Sequence, residues 1–250
     1  LDQQVAPVTQ FFKGGSSQGM SRFEEFIQKR FHRYVENRNQ PQTDDISHMS
    51  PYLHFGQISP LYLALRVKAD GGRHTEAQEA YLEELVVRRE LAMNFVHYSP
   101  CDDSFACLPQ WAQKTLMEHR RDPRQSMYTR RQLENAQTHD NYWNAAMKEM
   151  KLTGFMHNYM RMYWGKKILE WSRTPEQAFQ TTLAVNNTYF LDGRDPNSYA
   201  GVAWIFGMHD RAWFERSIFG KVRYMAASGL ERKCDIQAYV DKVESLANRV

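Results

Sequence analysis

Apolar residues recur at three- and four-residue steps along most of the chain, and no segment sustains the two-residue alternation of a half-buried strand. In SRFEEFIQKRFHRYVEN (21–37), Phe23, Phe26, Ile27, Phe31 and Tyr34 form one apolar stripe, which predicts a helix. A polar break, NRNQPQTDDIS, comes next, followed by SPYLHFGQISPLYLALRV. There Ser50-Pro51 and Ser59-Pro60 each read as an N-cap with a first-turn proline, and Gly56 closes the first short helix. Gly71-Gly72 marks another break. TEAQEAYLEELVVRRELAMNFVHY (75–98) predicts one long helix with Leu82, Leu85, Val86, Met93 and Val96 toward the core, and 99–110 reads as a loop containing proline and aspartates. Helices are expected near 109–119, 130–136, 140–152, 156–171 and 175–190. LDGRDPNS (191–198) is a turn cluster, 197–207 a short helix, 208–233 a basic irregular segment and 235–249 a terminal helix. There is no repeat and no low-complexity stretch. The pattern predicts an all-α globular fold.

Composition narrows this picture modestly. Of 250 residues, 42% are apolar, enough for a real core, and a formal charge of +3 permits a nucleic-acid partner without requiring one. Cys101, Cys107 and Cys234 fit neither a metal-binding spacing nor an even disulfide framework, so they read as reduced thiols and no metal is expected. No apolar run approaches the roughly 20 residues of a membrane span, and there is no signal peptide. The expected location is therefore cytoplasmic, nucleoid or nuclear and not secreted, which makes the NNT sequon at Asn186–Thr188 a coincidence. The first residue is Leu1, not Met, which reads as a fragment lacking an upstream domain.

Four stretches carry candidate chemistry, each with a plainer structural account beside it. GFMHNYMRMYWGKKILEW (154–171) places Trp164 and Trp171 seven residues apart, on one helix face and roughly 10 Å apart along the axis. Trp143, on the preceding helix, comes near that face if the two helices run antiparallel. Core packing is the first explanation for the three and an electron relay the second. Ser47 and Ser50 sit where a helix start would welcome phosphate, or where they simply cap it. Arg161, one turn after Asn158, with Asp192 and Asp195 downstream, suggests a buried ion pair of ordinary structural kind. Glu84 lies one turn before Arg88, the spacing of a helix ion pair. DRAWFERSIFGKVRYM interleaves Arg211, Arg216, Lys221 and Arg223 with aromatic residues, which suits a nucleic-acid surface and a solvated loop equally.

The order of the motifs is more specific than any one of them. MSPYLHFGQIS, YLEELVVRREL, GFMHNYMRMYWGKKILEW, NNTYFLDGRDPNSY, GVAWIFG and FGKVRYM together resemble the flavin domain of DNA photolyases, in the branch of the class II cyclobutane pyrimidine dimer photolyases of the photolyase/cryptochrome family. The likeness runs from about residue 20 to the C-terminus. It implies a helical FAD-binding catalytic domain over 20–250. Residues 1–19 would be a linker from an N-terminal α/β antenna domain that this chain lacks, with its chromophore unspecified. It also implies a monomeric lyase that flips an ultraviolet-damaged dinucleotide out of DNA and splits it with an electron from light-excited, fully reduced FAD. A cryptochrome-like photoreceptor without repair activity is the alternative.

The resemblance also implies roles. Tyr34, Ser47, His48, Met49 and Ser50 would contact the FAD phosphates and ribityl chain. Asn158, Arg161 and Asp192 would lie by the isoalloxazine, and Asn186 would face its redox-active nitrogen. Glu84 would hydrogen-bond the lesion bases, with burial favouring its protonated form, while Trp204 and Met162 would line the lesion pocket. Trp164, Trp143 and Trp171 would be the proximal, middle and surface members of a photoreduction relay. Arg211, Arg216, Lys221 and Arg223 would meet DNA phosphates. The chain departs from the family pattern at Val87 and Arg88, where some photolyases carry a second lesion-stacking tryptophan, and at Met208 and Phe214, where lysine is frequent.

Overall fold

The computed structural model describes residues 5–69 and 73–248, so the Gly71-Gly72 break and the last residue of the expected 235–249 helix lie outside the described residues. Fourteen α-helices and no strands are formed among the described residues, with a single isolated β-bridge between Arg216 and Gly220. In chain order they are α1 (Ser16–Lys29), α2 (Tyr34–Asn37), α3 (Ser50–His54), α4 (Pro60–Lys68), α5 (Thr75–Leu82), α6 (Arg89–Tyr98), α7 (Gln110–Glu118), α8 (Arg130–Glu134), α9 (Asn141–Thr153), α10 (Asn158–Trp171), α11 (Pro175–Tyr189), α12 (Pro196–Ile205), α13 (Ala227–Lys233) and α14 (Ile236–Ala247).

Two apolar clusters organise them. The smaller gathers Phe23, Phe26, Phe31, Tyr34 and Tyr81 from α1 to α5, with ring centroids about 6 Å apart in edge and tilted contacts. The larger surrounds α10, which buries Met160, Tyr163, Trp164, Ile168, Leu169 and Trp171 and so has no solvent face of any width. Two glycines let α10 sit there. Gly154 ends α9 in the left-handed region at φ 69°. A Cβ on Gly165 would come within 2.2 Å of Ile205, so its absence lets α12 close on α10. Beside it, the buried Lys166 ammonium donates to the Ile205 carbonyl at the end of α12, and burial brings its pKa down to about 7.

Several local expectations are corrected. The 21–37 stripe does not stay in one helix: the backbone breaks at Arg30, turns through Phe31–Arg33 and restarts as α2, which keeps Phe31 and Tyr34 buried although the helical phase is lost. Ser59 caps α4 through the Tyr62 N–H, but Ser50 is the first helical residue of α3 and Met49 holds the cap position. The 75–98 segment is interrupted by a wide turn over Glu83–Arg88, with hydrogen bonds spanning five residues. The extra residue rotates the face, so Leu85 is buried, Val86 is exposed, and Leu82, Met93 and Val96 are half-buried. The 99–110 loop holds a short turn at Phe105–Cys107, and the segment predicted to be irregular over 208–233 ends in α13.

Candidate functional site

The seam between the two clusters is a pocket. Its walls come from α2, the loop before α3, the Glu83–Arg88 turn, the α9–α10 connection and the start of α12. Asp45 fixes the loop: its buried carboxylate takes two hydrogen bonds from Arg33, at 3.1 and 2.7 Å, and one from Asn37 at 2.5 Å. Lys242 of α14 holds the same loop from behind through the carbonyls of Pro41 and Thr43. The loop then presents Ser47, His48, Met49 and Ser50 to the pocket. His48 stands at φ 55°, a left-handed backbone uncommon for a non-glycine residue, with its ring against Phe155 at 4.7 Å and Nε2 on Asp44 at 2.8 Å.

Across the pocket, Arg161 and Asp192 form a two-armed pair with both N···O distances at 3.0 Å. Arg161 also donates from Nε to the Met156 carbonyl at 3.0 Å and lies 3.9 Å over the Phe190 ring. Next to it, His157 caps α10. Burial first, then the positive charges of Lys242, His48 and Arg161, push its imidazole down to about 3, so the ring is neutral. Nδ1 accepts from the Tyr159 N–H at 3.2 Å, which leaves the proton on Nε2. That Nε2–H is buried with no partner, as is Nδ1 of His48. Burial also lifts the Tyr34 phenol to about 12. The pocket thus offers neutral donors and acceptors, serine hydroxyls and one locked cation–anion pair, a lining suited to an elongated polar ligand.

Of the nine residues expected around a cofactor, eight line this pocket: Tyr34, Ser47, His48, Met49, Ser50, Asn158, Arg161 and Asp192. Asn186 does not. It is buried one hydrogen bond behind the wall, donating to Ser198 Oγ at 2.6 Å, and Ser198 lines the pocket. Its burial also agrees with reading the NNT sequon as coincidence. Glu84 lines the mouth, but two expectations about it are corrected. Its carboxylate is 46% exposed and pairs with Arg38 at 2.8 Å, while Arg88 pairs with Glu83, because the wide turn shifts the register of both glutamates. The exposure overturns the expected burial of Glu84. Trp204 and Met162 are half-buried outside the pocket lining. Arg88 lies 5.9 Å over the Trp204 ring, on the side where a second aromatic residue was looked for.

The tryptophans form a connected set. Trp164 meets Phe190, the ring under Arg161, at 6.3 Å. Trp143 donates from its indole nitrogen to the Trp164 carbonyl at 2.9 Å and contacts Trp171 edge-on at 5.6 Å. Trp171 was expected at the surface, yet it is 3% exposed, because Tyr128 and His139 pack on it at 5.2 and 5.4 Å. In the basic segment, the Arg211 and Arg223 guanidinium groups lie 5.2 and 5.1 Å from the Trp213 ring, and the Trp213 backbone N–H donates to the Lys221 carbonyl at 2.8 Å. The segment is therefore a folded hairpin with exposed Arg211, Arg216 and Lys221 and a 93% exposed Phe214. Met208 packs against the larger cluster.

Sequence reading did not single out His157, Phe155, Arg38 or Ser198 for this site. His157 had a usable signal, a side chain able to cap directly before a helix start. The others arrive only by folding.

The sequence relatives show the family of this helical domain, with its polar pocket at the seam of two aromatic clusters: the chain belongs to the photolyase/cryptochrome family. It is 58% identical over 235 residues to a deoxyribodipyrimidine photo-lyase of Methanothermobacter thermautotrophicus, covering 94% of this chain and 52% of that protein. It is 50% identical over 226 residues to the protein of the same name from Oryza sativa subsp. japonica, covering 90% of this chain and 45% of that one. The chain spans about half the length of these curated relatives. Its fold matches the crystal structure of a class III photolyase from Agrobacterium tumefaciens with a TM-score of 0.74 at 19% identity, covering 94% of this chain and 46% of that one. No family model matches the chain. Among the described residues no helix is long and apolar enough to cross a membrane, and no cluster of three metal-binding side chains occurs.

Proposed function

We propose that residues 20–250 are the FAD-holding catalytic part of an enzyme that splits cyclobutane pyrimidine dimers in DNA under light, joined through residues 1–19 to an antenna domain upstream. One observation carries this reading: Tyr34, Ser47, Glu84, Asn158, Arg161 and Asp192, scattered over about 160 positions, line a single pocket. The residues fit the cofactor, since the pocket holds two buried imidazole nitrogens, His48 Nδ1 and His157 Nε2, that lack protein partners. Bound and reduced, FAD supplies a light-excitable donor of one electron.

The remaining work falls to side chains. Ser47 and Ser50 with His48 hold phosphate and ribityl oxygens, while the Arg161–Asp192 pair and Asn158 fix the ring system. Asn186 acts on the pocket through Ser198, whose hydroxyl it fixes by a hydrogen bond of 2.6 Å. Glu84 at the mouth accepts hydrogen bonds from the lesion bases when it leaves Arg38, and Trp204 and Met162 wall the space they enter. Trp171, Trp143 and Trp164 carry electrons toward the pocket, with Tyr128 and His139 covering the outermost ring. Arg211, Arg216, Lys221 and Arg223 meet backbone phosphates. Such a protein works where genomic DNA is, in nucleoid or nucleus.

The test is a short duplex with one thymine dimer, incubated with the chain and reduced FAD in blue light and in darkness. Light-dependent return of the two thymines is expected. Bound, reduced flavin without repair would reject the enzyme reading. Trp164→Phe is expected to abolish photoreduction of FAD and to leave repair intact once FAD is reduced chemically. Loss of repair in that sample, with normal flavin content, would reject the relay.

A further inference from the structure

We infer that a second, arginine-lined recess, formed by Arg120, Arg121, Arg124 and Arg173 at the far end of α10, binds a backbone phosphate of the duplex flanking the lesion. The inference rests on the DNA-binding reading above and adds a contact that the hairpin does not provide.

The recess is built rather than incidental. Arg124 is its fixed member: Nε donates to the Ser172 carbonyl at 3.0 Å, and Nη1 donates to the carbonyls of Arg120 and Asp122 at 2.9 and 2.5 Å. Its third nitrogen, Nη2, is buried with no partner. Held by three carbonyls, Arg124 keeps a fixed positive charge in the wall of the recess. Arg120, Arg121 and Arg173 are exposed around it.

Little negative charge answers these cations locally. The Asp122 carboxylate is committed elsewhere, accepting from Ile218 N–H at 2.8 Å and Ser217 Oγ at 3.0 Å and bonding His119 Nδ1 at 2.6 Å. Glu176 reaches only 3.9 Å from Arg120. Four guanidinium groups against two carboxylates, Asp122 with its hydrogen bonds committed and Glu176 at a distance, leave the recess net positive and favour an anionic ligand, and the guanidinium fork suits phosphate oxygens.

Geometry selects DNA as the source of that phosphate. Ser217 and Ile218 belong to the basic hairpin, so Asp122 ties the recess directly to the element carrying Arg211, Arg216, Lys221 and Arg223. The pocket and the recess lie at opposite ends of α10, whose 14 residues span about 20 Å. That is about six base pairs of duplex at roughly 3.4 Å each, a reach only a long flank can satisfy.

The decisive comparison is binding of dimer-containing duplexes with flanks of about ten and about three base pairs, measured by fluorescence anisotropy across a salt series. The proteins are the unaltered chain and the triple variant Arg120→Ala, Arg121→Ala, Arg173→Ala, with Arg124 left in place. Circular dichroism and flavin content establish that the variant is folded. On the long duplex the variant is expected to lose roughly tenfold in affinity, and its log–log salt slope to flatten by about two. On the short duplex the two proteins should agree. Equal slopes and affinities on the long duplex would overturn the inference, while failure of the unaltered chain to bind either duplex would instead reject the DNA reading itself. Variant-sensitive binding of pyrophosphate, with an unchanged DNA slope, would assign the recess to a free anion and also overturn it.

Discussion

The two ion pairs that border the pocket have similar N···O distances, 3.0 Å for Arg161–Asp192 and 2.8 Å for Arg38–Glu84, and opposite characters. The inner pair is covered, with side chains 20% and 10% exposed, joined by two parallel hydrogen bonds, tied to the Met156 carbonyl and stacked on Phe190. The outer pair is 29% and 46% exposed and joined by one. Coulomb attraction alone does not separate them. What differs is how many other partners each charge has and how much water competes for it. The inner pair is scaffold, fixed before any ligand arrives. The outer pair is easily opened, which under the proposed function would free Glu84 to contact an incoming base.

The largest effect that could break this contrast is expected at the inner end. Asp192→Ala leaves the Arg161 guanidinium between Phe155 and Phe190 with its bidentate partner gone. Breaking a pair of this kind costs about 3 kcal/mol. A urea denaturation curve should shift accordingly, and, under the proposed function, the purified variant should have lost its flavin. A loss below about 1 kcal/mol would put the inner pair on the same footing as the outer one.

His157 sharpens the contrast through pH. Its folded imidazole titrates at about 3 against an ordinary value near 6.5. Between those values the unfolded chain binds a proton that the folded chain refuses, so stability falls as pH drops from 6.5 toward 3 and is unaffected by this group above 6.5. The cumulative loss is on the order of a few kcal/mol. His157→Asn keeps an acceptor for the Tyr159 N–H and removes the titration. Thermal unfolding of the two proteins at pH 7 and pH 4 should show a smaller drop in the variant. An equal drop would mean that the acid limb originates in other groups.

These two ends were unequally legible in the sequence, for physical reasons. Helical periodicity sufficed for α9, α10 and α11 because each is long and its ends carry Asp140, His157 and Thr174 caps. For Arg161 the residues leave Asp192 and Asp195 both open as partners, and the resemblance points to Asp192, which the structure pairs with it. The outer end was not readable. The wide turn at Glu83–Arg88 adds one residue to a helical repeat, which no apolar spacing reveals, and it sends Glu84 to Arg38, 46 positions away, instead of to Arg88. Trp171 was misplaced for a similar reason. Its cover, Tyr128 and His139, comes from a segment more than 30 residues earlier and carries no local mark of that contact.

The smallest expected effect lies at the outer end and is the most informative about function. Arg38→Ala removes a pair that is largely solvated, so stability should change by less than about 1 kcal/mol, and flavin content should hold. Arg38 also lies 5.8 Å over the Tyr34 ring, a contact worth a further fraction of a kcal/mol at an exposed site. With its cation gone, Glu84 keeps its place at the pocket mouth but no longer has to leave a partner to meet a base. Affinity for a dimer-containing duplex, measured beside an undamaged one, should therefore hold or rise for Arg38→Ala and fall for Glu84→Ala. If both variants lose the preference for the dimer equally, Arg38 and Glu84 act as one fixed unit, and the outer pair is scaffold after all.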